Sequence, residues 1–487
     1  MKNLLLYIIA SPLIGIFLLF LVPSWNKLLI KQISLIFSGI SFVLSMAMWV
    51  GFHKSIGGFQ GEVIISWGTY SNLSFTVGVD GISIFLIILT TLLIPLCVLV
   101  SWNNDIYAKD YFISWLLLEF FLLSTFSVLD LLVFYIFFES ILVPMYVIVG
   151  VWGSRERKIR AAYFLFLYTL LGSVLMLIGV LYIYHQVGTT DYMTLLSMEF
   201  SSEEQLFLFS SFMASFAAKI PMVPIHIWLP EAHVEAPTAG SVILAGVLLK
   251  LGTYGILRFS FALFPFASFY FTPLVYSIAS IGVIYTSLTA IRQTDFKRIL
   301  AYTSVAHMNL VVIGMFSFTN IGLEGAILQS LSHGFVASAL FVIVGVVYDR
   351  HHTRTVKYYG GLTHTMPIYI MIFLFFTMAN IGLPGTGSFV GEFLILVGSY
   401  QTNVTVTVLG ATGMVLGGCY ALWLFNRIAY GNLKTQYLKE FSDLNLREFL
   451  IFIPLILGTL LMGVYPEIFL DPIHLSVGTL LERMFHT

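Results

Sequence analysis

The chain has 487 residues, of which 59% are hydrophobic and only 10% charged, and its formal net charge is −1. Soluble domains carry about a quarter charged residues, so the composition excludes a water-surfaced globule and points to a chain whose surface meets lipid. A balance this close to neutral offers no electrostatic footprint for nucleic acid. The two isolated cysteines, Cys97 and Cys419, can hold neither an iron–sulfur cluster nor a Cys-rich zinc site.

A helix that spans a bilayer needs roughly 20 apolar residues. The first such run, 3–22, has no small-x-small cleavage site and contains Pro12, so it is read as a membrane helix and not as a signal peptide. Thirteen more follow, at 32–52, 82–102, 111–128, 129–150, 161–184, 206–229, 237–262, 272–291, 297–317, 320–348, 367–399, 403–428 and 448–466. The polar segments between them are mostly short, which leaves no separate soluble domain. The expected fold is therefore an all-α polytopic membrane protein of about fourteen helices. Basic residues set its direction. The connections after odd-numbered helices hold 17 of the 23 Lys and Arg, including Lys27, Lys31, Lys109, Arg155, Arg160, Arg350, Lys357 and Lys439. The opposite connections hold three, Lys2, Lys54 and Arg483. The positive-inside rule places the first set in the cytoplasm or mitochondrial matrix and both termini outside.

An ionised side chain at mid-bilayer costs at least about 2.5–3.5 kcal/mol. Glu139, Lys219, Lys250 and Glu392 nevertheless fall well inside spans, as do His307 and His333. Two acids, two lysines and two imidazoles suit a proton relay, because burial and opposing charge move such groups toward neutrality. Purely structural ion pairing is the competing reading. Glu119 and Asp130 are weaker candidates, placed near helix ends or on a wet face. Asp80 precedes an apolar run and reads as a helix cap. Arg258 lies near a helix end, where it would snorkel.

Two spans look interrupted. In "FAAKIPMVPIHIWLP", Pro221 and Pro224 remove the donors that would satisfy the carbonyls of Ala217 and Ile220, on either side of Lys219. In "ANIGLPGTGSFVGEF", Pro384 and four glycines precede Glu392. Irregular backbone at membrane depth is tolerated only where it is buried or lines a wet cavity, and paired interruptions mark transporter sites. Ordinary proline kinking is the alternative. The interruptions are five crossings apart, and an odd shift inverts direction. Residues 111–262 (helices 4–8) and 272–428 (helices 9–13) therefore read as an inverted repeat, preceded by 1–110 and followed by helix fourteen and a tail at 448–487.

Other motifs carry less. "GTGSFVG" lacks the spacing and the βαβ setting of a dinucleotide fingerprint. His226, Glu231 and His233 do not have zinc-site spacing. A haem pair at His307 and His333 would compete with the relay reading. The sequons at Asn72 and Asn403 are ascribed to chance.

The stretches "FFESILVPMYVIVGVWGSRERKIRAAY", "KIPMVPIHIWLPEAHVEAPTAGSVILAGVLLKLGTYGILRFS", "LAYTSVAHMNLVVIGMFS" and "LPGTGSFVGEFLIL" closely resemble the antiporter-like membrane subunits of NADH:ubiquinone oxidoreductase, respiratory complex I. That family is itself similar to subunits of multisubunit sodium/proton antiporters. The resemblance implies fourteen helices, an inverted repeat and interruptions in helices seven and twelve. It also implies that Glu139, Lys219, Lys250, His307, His333 and Glu392 form the proton relay. A glutamate at the last position, and a chain that stops about 20 residues after helix fourteen without a long lateral helix, match the subunit 4 (bacterial M) branch.

In the implied mechanism Glu139 pairs with Lys219 and restrains its proton. Weakening the pair sends the proton through Lys250 and the histidines to Glu392. NADH, flavin, iron–sulfur clusters and ubiquinone belong to other subunits, and this chain holds no cofactor or metal. Its implied partners are the neighbouring antiporter-like subunits 2 and 5, lipid and protons. The implied location is the mitochondrial inner membrane, with a bacterial plasma membrane as the alternative. A subunit of a sodium/proton antiporter or membrane-bound hydrogenase shares the scaffold, and a membrane-arm spacer that moves no protons is the non-catalytic reading. Accessibility labelling should find the loops at 155–160 and 350–357 on the same inner face; labelling on opposite faces would rule out the fourteen-helix topology.

Overall fold

The computed structural model describes residues 2–66, 74–437 and 442–486; Asn72 and Lys439 lie outside them. The chain is a multi-pass bundle. Among the described residues, eleven helices are long and apolar enough to cross a membrane, including Leu131–Trp152, Thr238–Leu263, Phe296–Met315 and Asn320–His351. Ile84–Val100 and Pro367–Ile381 are shorter apolar helices. Polar side chains fix where several helices begin. Asp130, Asp295 and Asn403 each accept a backbone N–H of the turn that follows. Ser201 with Glu204 and Asn445 with Glu448 form capping boxes. The Asn403 sequon thus has a structural use as a cap.

The expected spans differ from the observed elements in several places. The 206–229 span stops at Lys219, and helix resumes only at Trp228–Glu235. The 367–399 span divides into Pro367–Ile381 and Gly387–Thr402. Within 129–150, the helices Leu131–Ser140 and Leu142–Trp152 are separated at Ile141. Pro144 causes this irregularity, because it has no N–H to give the Ser140 carbonyl. The expected tail is a further helix, Glu467–His486. The connection before the third span contains an antiparallel hairpin, Gln60–Ser66 with Ser74–Val79, in which Val63 faces Val77.

Two compact units make up the chain. The first comprises Met1–Ile220, Val247–Pro273 and Asp471–Thr487; the second comprises Pro221–Gly246 and Leu274–Leu470. In the first, Asp80 and Arg258 correct the sequence reading. Arg258 does not snorkel: its Nη2 lies 2.6 Å from Asp80 Oδ1, and both side chains are buried. Asp80 also accepts from Ser83 N at 3.0 Å, so it caps a helix start and neutralises a distant arginine at once. Glu119 lies in the middle of Ala108–Ser127, wholly buried, and takes a hydrogen bond from the Ser41 hydroxyl. Asp130, besides capping, accepts from Thr190 at 2.8 Å, which favours the structural reading for it.

Helix contacts in both units are made close by glycine. In the first, a Cβ on Gly255 would stand 2.2 Å from the buried Phe216 ring, and one on Gly252 would stand 2.8 Å from the Phe216 carbonyl. The lysine-bearing helices Ser202–Lys219 and Leu249–Gly255 therefore pack nearly backbone to backbone. In the second unit, a Cβ on Gly391 would meet Gln329 at 2.7 Å, which brings Gly387–Thr402 against Asn320–His351. Gly255→Ala should overpack the first contact by about 1–3 kcal/mol and lower the yield of folded protein in detergent. Gly39→Ala, where an added Cβ meets nothing, should leave the yield unchanged.

Candidate functional site

The six sequence-identified residues fall into two sets. Glu139, Lys219 and Lys250 belong to the first unit; His307, His333 and Glu392 belong to the second.

In the first unit each group sits at an irregularity of its helix. Glu139 is two residues before Ile141, where the helix is interrupted. Lys219 is the last residue of Ser202–Lys219, where the free carbonyls of a helix C-terminus favour a cation. Lys250 lies in Leu249–Gly255, between two wide π-helical turns, Leu244–Leu248 and Ile256–Ser260. Such turns recur at functional positions because they rotate the side chains that follow. Both lysines are buried. Lys219 Nζ stands 4.5 Å from the centre of the Phe138 ring and has no hydrogen-bond partner among the described residues. A cation over an aromatic face keeps part of its stabilisation without a fixed acceptor. Glu139 Oε1 is likewise buried without a hydrogen bond. The direct ion pair implied between Glu139 and Lys219 is not formed; Glu139 is near enough for its charge to act on Lys219, with no hydrogen bond to lock them together.

In the second unit the groups do meet. His307 Nδ1 lies 3.1 Å from Glu392 Oε1, and Gln329 Nε2 donates to the same oxygen at 3.0 Å. The His307 and His333 rings are 5.8 Å apart, centre to centre. Glu392 and His333 are buried, and His307 is nearly so. A cavity of about 20 Å³ is lined by His307, Glu392, Asn380 and Tyr420. That is room for a single water. The backbone interruption shapes the carboxylate's position. Gly382 has φ +87°, and a Cβ there would be 2.9 Å from Glu392 Oε2, so a side chain at Gly382 would collide with the acid. At 3.1 Å an imidazole and a carboxyl can exchange a proton directly.

Gln329 was missed in the sequence, although a signal was present: it lies four residues before His333, on the same helix face. The residues of the "HIWLPEAH" stretch go to separate partners. Glu231 pairs with Arg298, His226 meets the edge of Tyr285, and His233 stacks on Phe341 at 4.5 Å. Lys297 is buried and donates to the Ala236 carbonyl at 2.8 Å, while Arg354 bonds the Val234 carbonyl. Among the described residues no three His, Cys, Asp or Glu side chains converge as a metal site would require.

A helical membrane bundle whose buried acids and bases gather at interrupted helices belongs to the class of ion-translocating membrane proteins. Comparison with known proteins narrows the class. Residues 128–417 match the family described as "NADH:quinone oxidoreductase/Mrp antiporter, TM". NADH-ubiquinone oxidoreductase chain 4 of Marchantia polymorpha is 56% identical, over 98% of this chain and 96% of its own length. NADH-quinone oxidoreductase subunit M of Rhodobacter capsulatus is 47% identical, over 93% of this chain and 90% of its own. A chain of respiratory complex I from Thermus thermophilus with bound NADH superposes with a TM-score of 0.89 at 28% identity, covering 99% of both chains. A chain of the Mrp complex from Dietzia sp. shares the fold, with a TM-score of 0.86 at 20% identity over 99% of this chain and 97% of its own. The chain belongs to the NADH:quinone oxidoreductase/Mrp antiporter membrane family.

Gly382→Ala should displace the Glu392 carboxylate and strain the backbone at the break. The expected result is an assembled complex with a lowered proton-to-electron ratio in sealed vesicles. A normal ratio would show that the position of Glu392 does not matter to translocation.

Proposed function

We propose that the chain is a proton-translocating membrane-arm subunit of an NADH:ubiquinone oxidoreductase, respiratory complex I, and that Glu139, Lys219, Lys250, His307, His333 and Glu392 are its proton-carrying groups. The contact of His307 with Glu392 carries the relay reading. A buried imidazole and a buried carboxyl at hydrogen-bond distance, beside a cavity the size of one water, can pass a proton with little movement of heavy atoms.

The first unit supplies a loading group. Lys219 is held by a ring face and the end of a helix, not by a fixed acceptor, so a change in the charge of Glu139 alters its hold on a proton without breaking a hydrogen bond. Coulombic effects of that kind are strong where the local dielectric is low. Lys250, on the helix packed against that of Lys219 through Gly252 and Gly255, takes the proton next. His333 and His307 pass it to Glu392, whose second oxygen faces the segment interrupted between Ile381 and Gly387. Moving one charge against the membrane potential costs about 2.3 kcal/mol per 100 mV. That energy comes from electron transfer in subunits that carry the flavin, the iron–sulfur clusters and the ubiquinone site.

The interruptions after Lys219 and before Glu392 support an inverted repeat of 111–262 and 272–428, with the two charged groups in corresponding places and both breaks at mid-membrane. The relatives from plants support the mitochondrial inner membrane as the location. A chain of this kind packs between other antiporter-like subunits, those numbered 2 and 5. Complexes carrying Lys219→Ala should assemble, because no hydrogen-bonded partner is stranded, yet pump fewer protons per NADH oxidised in sealed vesicles. An unchanged ratio would overturn the relay, and loss of assembly would support the spacer reading.

A further inference from the structure

Lys219 is short of an acceptor, and its neighbours are short of partners too. Lys219 Nζ, Glu139 Oε1 and Ser215 Oγ are all buried, and none has a hydrogen-bond partner among the described residues. Buried polar groups are nearly always paired, so three unpaired ones in one neighbourhood need a common cause. The neighbourhood is small. Ser215 lies one turn before Lys219, on the same face of Ser202–Lys219. Phe138, whose ring centre is 4.5 Å from the Lys219 ammonium, precedes Glu139 directly. The charge of Glu139 acts on Lys219.

Ser215 differs from the hydroxyls around it. A serine or threonine in a helix commonly returns its hydrogen to a carbonyl of the preceding turn. On the same helix Ser210 bonds the Leu206 carbonyl at 2.7 Å and Ser211 the Leu208 carbonyl at 2.7 Å. On the facing helix, Lys158–Val187, Thr169 bonds Leu165 at 2.6 Å and Ser173 bonds Leu170 at 2.9 Å. Ser215 makes no such bond, although it is wholly buried. Its surroundings are tight: a Cβ on Gly172 would stand 3.3 Å from Ser215 Cα and 2.8 Å from the Ala214 carbonyl. A donor for this hydroxyl has to come from within the protein.

The donor in reach is Lys219. A helical side chain leans back over the preceding turn, and that turn holds Ser215. The flexible four-carbon stem of lysine lets the ammonium move while the backbone stays in place. We propose that the Lys219 ammonium has two seats, the Phe138 ring face and the Ser215 hydroxyl, and that Ser215 is the positioning residue that receives it when Glu139 lets it go. The proposal rests on the relay reading above and adds a group to it. In the structure the ammonium occupies the first seat. At the second, Ser215 Oγ accepts a hydrogen bond from Nζ. A neutral hydroxyl holds an ammonium less firmly than a carboxylate does, so the second seat is the one from which the proton leaves for Lys250.

Ser215→Ala removes one oxygen and keeps the helix contact at Gly172, so the complex should assemble and oxidise NADH. In sealed vesicles its proton-to-electron ratio should fall toward that of Lys219→Ala. Ser211→Ala, whose hydroxyl is already committed to its own helix, should keep the wild-type ratio. Cryo-electron microscopy of the intact complex, frozen during NADH oxidation, should divide the ammonium between the Phe138 ring and Ser215 Oγ in the wild type and leave it at the ring in Ser215→Ala. A wild-type map with the ammonium at the ring alone overturns the proposal, even where the variant fails to assemble. An equal fall in Ser211→Ala does the same, as does a wild-type ratio in Ser215→Ala when Lys219→Ala lowers it. A wild-type ratio in both Ser215→Ala and Lys219→Ala overturns the relay, and the second seat with it.

Discussion

Removing a carboxylate or an ammonium from water costs several kcal/mol unless another group takes up its charge, and this chain meets that cost in two different ways. Arg258 and Asp80 answer it fully, with a short ion pair, a tyrosine hydroxyl and an aromatic face. Such a site has one stable arrangement. Lys219 answers it only in part, with a ring and a helix end. Its charge is tolerated and not locked by a fixed acceptor. Glu392 lies between these extremes: one oxygen is shared by His307 and Gln329, and the other faces a break in the backbone.

The interruptions follow from the same constraint. A continuous helix satisfies its own backbone and presents only side chains. Where Pro221 and Pro224 or the segment Gly382–Thr386 stop the helix, carbonyls are released at the level of a charged side chain. Small residues then do two jobs. They permit the break, as Gly382 does with φ +87°, and they let the neighbouring helix come close enough to place Gln329 or Lys250 beside it.

Much of this was readable from the sequence because charge stands out against an apolar background. Glu139, Lys219, Lys250 and Glu392 stand out by hydropathy contrast alone, and prolines beside two of them mark breaks in the helix. What local sequence could not supply was partnership across distance. Asp80 and Arg258 are 178 positions apart, so each was assigned the commonest local role, cap and snorkel, and for Arg258 that role was wrong. The π-helical turns around Lys250 leave no compositional trace, since they alter hydrogen-bond register and not residue type. The pairing of Gln60–Ser66 with Ser74–Val79 was hidden because the strands are short and lie between two long apolar runs. The implied pair of Glu139 with Lys219 was too literal: the groups feel each other's charge but do not bond.

The placement of Glu467–His486 bears on how the protein is made. Residues 471–487 complete the unit that the first 220 residues begin, while the second unit is built wholly from residues synthesised before them. Gly81 therefore waits for Ser476, and Lys54 for Asp471, until the chain beyond Leu470 has been made. During synthesis the first unit therefore stays incomplete while every residue of the second is made. A chain cut after Leu470 would hold every residue of the second unit and lack part of the first.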